Sequence, residues 1–253
     1  MALAKSPAAL DSLERHRIRT LAASLHGLGR IEIERGEASC VASYEESLRL
    51  AELIGHQAGM AACASNLGIA YATLEALRDF DKAEHWYTRS LELHPEHDGL
   101  GRGQGELNLG NIAMWRFDEA QEQSAPNEQL IELLHKALSH YVAALKLIPT
   151  NAMNALAMTH NNIGLVYERA GDLERALEHY DDSIRYEQMQ NNQYGAGQTQ
   201  HNVAVALYNA KQLVRARRYA EAALGSFAPY GAGASAVVEK TQGLIALIDE
   251  GLQ

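Results

Sequence analysis

Apolar positions recur at spacings of three and four along nearly the whole chain, which predicts helices throughout. Ile163, Val166 and Tyr167 form one such stripe, and Ala176, Leu177, Tyr180 and Ile184 another. Ala, Leu, Glu and Arg dominate these stretches and β-branched runs are absent, as helices require. Breakers divide them at Gly36-Glu37, Gly55, Pro95, Pro149, Gly171-Asp172 and Gly231. The predicted helices are roughly 17–35, 37–54, 58–78, 80–93, 102–118, 128–148, 152–170, 173–190, 195–210, 212–226 and 234–250. Residues 8–16 extend the first helix backwards, with Pro7 suited to a first-turn position.

The helices repeat. A short phrase recurs as Leu28-Gly29, Asn66-Leu67-Gly68, Asn108-Leu109-Gly110 and Asn162-Ile163-Gly164, and more weakly as Asn202-Val203-Ala204 and Gln242-Gly243. Its small residues lie at 29, 68, 110, 164, 204 and 243, at intervals of 39, 42, 54, 40 and 39. A second phrase follows the first five: Cys40/Tyr44, Ala83/Tyr87, Ala137/Tyr141, Ala176/Tyr180 and Ala216/Ala220. From each second landmark to the next first one the steps are 28, 27, 27, 28 and 27; the complementary steps are 11, 15, 27, 12 and 12. One half of the unit is therefore fixed and the other absorbs insertions. Gly or Ala at the landmark lets two helix backbones approach while the aromatic fills the hole; a larger side chain there overpacks the seam at a cost of about 1–3 kcal/mol.

These phrases resemble those of tetratricopeptide repeat proteins. Leu67-Gly68-x-x-Tyr71 and Ile163-Gly164-x-x-Tyr167 match the family's first-helix phrase, Ala83-x-x-x-Tyr87 and Ala176-x-x-x-Tyr180 its second, with Pro95 and Pro149 following as in the family. The resemblance covers roughly residues 17 to 250. The family period is about 34 residues, whereas here it is about 40, as in extended-helix variants; Gly59, Gly101 and Gly195 each stand nine residues before their landmark. Glu32, Ala113 and Leu207 replace the usual Tyr in units one, three and five. The resemblance implies an all-α, right-handed α-α superhelix of about five helix pairs with a C-terminal capping helix. The chain then forms a single solenoid domain over 1–253, with repeats at about 17–55, 56–97, 98–150, 151–192 and 193–230 and the final helix at 234–250. That helix, still apolar at Leu244, Ile245, Leu247 and Ile248, either caps the stack or marks a chain cut from something longer. The third unit carries about 15 extra residues between Phe117 and Leu130, read either as lengthened helices with a tolerated loop or as a binding element.

The resemblance also implies that first helices line an inner groove. Asn66, Asn108, Asn162 and Asn202 occupy the same inward position in successive repeats, with Asn111, Asn161, Gln198, His201, Arg169 and Asn209 nearby and Trp115 as the better candidate for an exposed anchor. Amides both donate and accept, so such a ladder suits the backbone of an extended peptide; equally, each Asn can bond a neighbouring helix. The basic pairs that clamp a terminal carboxylate in chaperone-binding relatives are not evident: the third residue before each landmark is His26, Ser65, Leu107, Asn161 or His201, with no Lys.

Composition narrows the rest. In 253 residues, 22 Lys and Arg stand against 32 Asp and Glu, a net charge of −10, which argues against a nucleic-acid partner. No 18-residue apolar run and no signal-like start occurs, so no membrane insertion is expected and a cytoplasmic protein is. Cys40 falls on a small-residue landmark and is expected to be buried and inert; Cys63 has no basic neighbour to activate it. His94-x-x-His97 lies in a turn beside Pro95 and lacks the scaffold of a zinc site. The Gly-rich 99–105 stretch follows no strand and reads as a linker and helix start, not a phosphate loop. Lys211, Arg215, Arg217 and Arg218 make a basic cluster on a second helix, read as a solvated face. No metal, cofactor or catalytic set is expected. The leading expectation is a non-enzymatic scaffold or adaptor that binds a protein or peptide in the groove. The alternative is a ligand-sensing segment of a larger signalling ATPase or transcriptional regulator. The terminal helices offer a surface for a homo-oligomer.

Overall fold

The computed structural model describes residues 10–252. Among them are eleven α-helices and no strand. The chain forms two compact units, Met1–Glu119 and Ala120–Gln253.

The first unit holds α1 (Ser12–Glu34), α2 (Cys40–Leu53), α3 (Gln57–Thr73), α4 (Phe80–Leu93) and most of α5 (Gly99–Glu122). Asp11 starts α1 with a capping box: its carboxylate accepts from the Glu14 N–H at 2.8 Å and Glu14 returns the bond at 3.0 Å. The helix therefore begins at Ser12 and not at residue 8; the expected first-turn role of Pro7 lies outside the described residues. Helix α3 stops at Thr73, short of the expected residue 78. Leu74 turns extended and a single 3₁₀ turn, Glu75–Leu77, brings Leu74 and Leu77 onto the Cys40–Tyr44 core. Asp79 then caps α4 by accepting from the Lys82 N–H at 3.0 Å. Within this unit α1 packs on α2, α2 on α3 and α3 on α4, and Leu109 and Ile112 of α5 join Ala72, Ala83 and Tyr87.

The second unit holds α6 (Asn127–Leu147), α7 (Met153–Arg169), α8 (Leu173–Met189), α9 (Gln193–Asn209), α10 (Leu213–Phe227) and α11 (Ser235–Gly251), each packed on its sequence neighbour. Asp172 and Asn192 cap α8 and α9, accepting from the Arg175 and Gly195 N–H groups, each at 3.1 Å. A 3₁₀ stretch, Ala228–Ala234, precedes α11, and Gly231 breaks it at φ 50°. Helix α11 buries Leu244 and Ile248 in the unit's core and leaves Leu247 exposed. The extra residues of the third repeat lengthen α5 to 24 residues and α6 to 21, joined by a short turn in which Ser124 takes φ 55°.

The landmarks do the packing expected of them. A Cβ at Gly29 would meet the Tyr44 ring at 2.9 Å, at Gly68 the Tyr87 ring at 2.6 Å, and at Gly164 the Tyr180 ring at 2.7 Å. The second-helix landmarks Cys40, Ala83, Ala137, Ala176 and Ala216 are fully buried. The fifth pair departs: Ala204 and Ala220 meet as two small residues, and Phe227 instead fills the space left by Gly197. Gly243 departs further, with nothing within 4 Å of its would-be Cβ.

Candidate functional site

In each unit the first helices of the pairs enclose a cleft. The larger, about 420 Å³, lies in the second unit. Ala157, Met158 and Asn161 of α7, Gln198, His201 and Asn202 of α9, and Val237 and Lys240 of α11 line it; Ser183 and Glu187 of α8 and Phe227 of α10 also reach it from the second helices. The first-unit cleft, about 270 Å³, is bounded by His26 of α1, Ser47 and Ala51 of α2, His56 just before α3, and Gly59 and Cys63 of α3, among others.

Four of the expected residues thus meet in one place: Asn161, Gln198, His201 and Asn202. Their amides are not equally free. Asn202 Nδ2 donates to Asn161 Oδ1 at 3.0 Å, and Asn161 Nδ2 approaches Asn162 Oδ1 at 3.4 Å. His201 Nδ1 pairs with Thr241 Oγ1 at 3.0 Å. Gln198 is exposed and its amide makes no hydrogen bond among the described residues. Asn202 therefore ties α9 to α7. In the first unit, Asn66 Nδ2 of α3 likewise meets His26 Nε2 of α1 at 2.7 Å.

Other expected residues lie elsewhere. Asn162 is bonded to the buried Tyr141 hydroxyl. Asn209 bonds Glu168, which Arg169 also faces, so these end the helices and do not line the cleft. Asn108 and Asn111 are half-buried on α5. Trp115 is not an exposed anchor: it stacks on Phe80 with ring centroids 5.9 Å apart, because α4 begins with an aromatic that needs covering.

Glu187 escaped the sequence reading. It is 5% exposed, and its Oε2 accepts from Gln190 Nε2 at 2.8 Å and Asn192 Nδ2 at 2.7 Å. The signal was present. Glu187 continues the buried stripe Ala176, Tyr180, Ser183, and a carboxylate on such a stripe is costly unless it is used. Burial raises its pKa above the ordinary carboxylate value.

The remaining candidate chemistry resolves into structure. Cys40 and Cys63 are buried, and burial raises both thiol pKa values. His94 Nδ1 bonds Asp98 Oδ2 at 2.7 Å, and Asp98 Oδ1 caps the Gly101 N–H at 2.8 Å, so the Gly-rich stretch starts α5. Arg217 pairs with Asp249 at 2.8 Å and with Glu221. No group of three metal-ligating side chains occurs among the described residues. No described helix is long and apolar enough to cross a membrane.

Four histidines resist protonation. Burial lowers the pKa of His26, His160, His179 and His201 below the usual 6.5; Arg30 adds to the effect at His26 and Lys240 at His201. His160 and His179 face each other through Nδ1 atoms 3.1 Å apart. The unfolded chain protonates first as pH falls, so stability is full above pH 6.5 and declines as pH drops towards the folded-state values. Glu168 and Glu187, raised by burial, act in the opposite sense near their own range and offset part of that loss. Urea midpoints measured from about pH 8 to pH 5 should fall mainly below 6.5. The double variant His160→Asn/His179→Asn should partly flatten the profile; an unchanged slope would remove this pair as a cause.

No family model and no curated protein matches the chain. Solved structures do. The crystal structure of BtubC from P. vanneervenii superposes with a TM-score of 0.68 at 18% identity, over 84% of this chain and 82% of that one. The pilF protein of Pseudomonas aeruginosa, described in a functional characterization, superposes with a TM-score of 0.57 at 16% identity, over 92% and 90%. The chain has a tetratricopeptide-like helical repeat fold. At these identities the likeness concerns the fold alone.

Proposed function

We propose that the chain is a non-enzymatic scaffold that holds an extended peptide segment of a protein partner in the cleft lined by α7, α9 and α11. The observation that carries this reading is the 420 Å³ opening between first helices, walled by amides and imidazole and flanked by the exposed Met158. A peptide backbone needs donors and acceptors in alternation, and amide side chains supply both. Gln198 has its amide available. The Asn202–Asn161 bond leaves Asn202 Oδ1 as an acceptor.

Peptides selected from a displayed random library against the whole chain provide the test. Gln198→Ala and the apolar pair Asn161→Leu/Asn202→Leu should each weaken a selected peptide about tenfold or more, roughly 1.4 kcal/mol. Gln198→Ala touches no hydrogen bond of the fold, so its unfolding midpoint should not move. Undiminished affinity in both variants would reject the cleft as the binding surface.

A further inference from the structure

Counting from the landmarks, the clefts of the two units are built from equivalent positions. Ser47 and Ser183 stand seven residues after the second landmark, and Ala51 and Glu187 eleven after it. Gly59 and Gly195 stand nine before the next small landmark, and Cys63 and Thr199 five before it. All eight line their respective clefts. The position eleven residues on is Ala51, His94, Ile148, Glu187 or Phe227 along the chain. Ala51, Ile148 and Phe227 there are at most 5% exposed, so the repeat uses this place as core. Glu187 puts a carboxylate into it at the same depth.

That carboxylate is half satisfied. Both of its hydrogen bonds arrive at Oε2, and Oε1 has no partner among the described residues. No Lys, Arg or His forms an ion pair with it there. Gly195 opens the space beside it: a Cβ at residue 195 would lie 2.6 Å from Glu187 Cδ and 2.7 Å from Oε1. Glu187 is a buried residue of the cleft lining whose Oε1 remains open, and such a carboxylate oxygen is an acceptor prepared for a charged donor. The surrounding groups agree. Burial and the nearby Lys240 lower the pKa of His201, which works against its supplying the missing charge. Phe227 lines the same cleft and contributes no charge to it. Lys240, exposed on α11, is the one lysine or arginine lining the cleft and suits a carbonyl or carboxylate further along the same ligand.

We propose that the cleft of the second unit takes an ammonium group, which donates to Glu187 Oε1. An amino terminus and a lysine side chain share this chemistry. The inference rests on the peptide reading above and names the group that the peptide places deepest.

Three probes test it on the whole chain at neutral pH: Nα-acetyl-lysine methylamide, alanyl-alanine methylamide, and the lysine probe with its side chain also acetylated. Binding is read from the Met158 methyl resonance, and the Glu187 carboxyl carbon is titrated in parallel. At least one ammonium probe should saturate, lower the pH at which the Glu187 carboxyl titrates, and weaken about tenfold or more in Glu187→Gln. Which of the two saturates distinguishes the side chain from the terminus. The acetylated probe should not saturate. Equal binding of the acetylated probe, an unmoved carboxyl titration, or no saturation by either ammonium probe overturns the proposal. The titration is made on the unsubstituted protein, so it holds even where Glu187→Gln disturbs folding. A library-selected peptide that needs Gln198 but ignores Glu187→Gln would sink this inference and leave the cleft reading standing. Ammonium binding with no effect of the amide variants on peptides would do the reverse.

Discussion

Gly164→Ala should cost about 3 kcal/mol of stability, the upper end of overpacking penalties. The added methyl would stand 2.7 Å from two carbons of the Tyr180 ring. That ring has nowhere to go: Tyr180 is fully buried among Ala176, Val203 and Leu207. Helices α7 and α8 must then separate, and the loss extends along their whole contact. For a chain of this length the melting temperature should fall by roughly 6–12 °C. Gly243→Ala is the matched control. The same substitution in a helix with open space around it should gain about 0.5–1 kcal/mol from helix propensity. Shrinking the ring in the double variant Gly164→Ala/Tyr180→Leu should recover part of the loss, a non-additivity that marks direct contact. Equal effects at Gly164 and Gly243 would show that the landmark spacing has no packing role.

Two tyrosines on the same landmark should respond to phenylalanine with opposite sign. Tyr180 donates its hydroxyl to Glu168 Oε2 at 2.8 Å. Tyr180→Phe removes a bond to a half-buried carboxylate, worth about 1.5–3 kcal/mol. Tyr44 is buried just as fully, but its hydroxyl has no hydrogen-bond partner, and burial pushes its pKa up to about 12. Tyr44→Phe should therefore stabilise by about 1 kcal/mol, the desolvation cost of an unmade bond returned. The difference lies one turn along the first helix. Glu168 stands four residues after Gly164 and meets Tyr180; Glu32, three after Gly29, is held instead by Ser43 Oγ at 2.7 Å. Urea unfolding of the two variants decides the matter, and a loss in both would mean that Tyr44 has a partner in solution.

The helices were legible because their signals are local. Caps such as Asp172 and breakers such as Gly171 act within a few residues of themselves, and apolar periodicity needs no knowledge of the partner. The cleft was legible only in part. The shared register grouped Asn162 with Asn202, whereas Asn202 bonds Asn161, one residue earlier, and Asn162 bonds Tyr141. Trp115 was misplaced for a related reason. Its helix face follows from the sequence, but its covering by Phe80 depends on where α4 begins against α5. Glu187 was missed although its place on a buried stripe can be counted, because a Glu among helix-forming residues looks like any solvated one until the stripe is traced.

The amino-acid order alone determined the number of helices, the pairing of small with aromatic residues, and the half of each repeat that tolerates insertion. Those properties are set by backbone stiffness and side-chain volume within a few turns. Tertiary structure decided which polar groups are spent on other polar groups and which remain open. It left the Glu187 Oε1 oxygen and the Gln198 amide without partners, because hydrogen-bond satisfaction depends on atoms brought from helices dozens of residues apart.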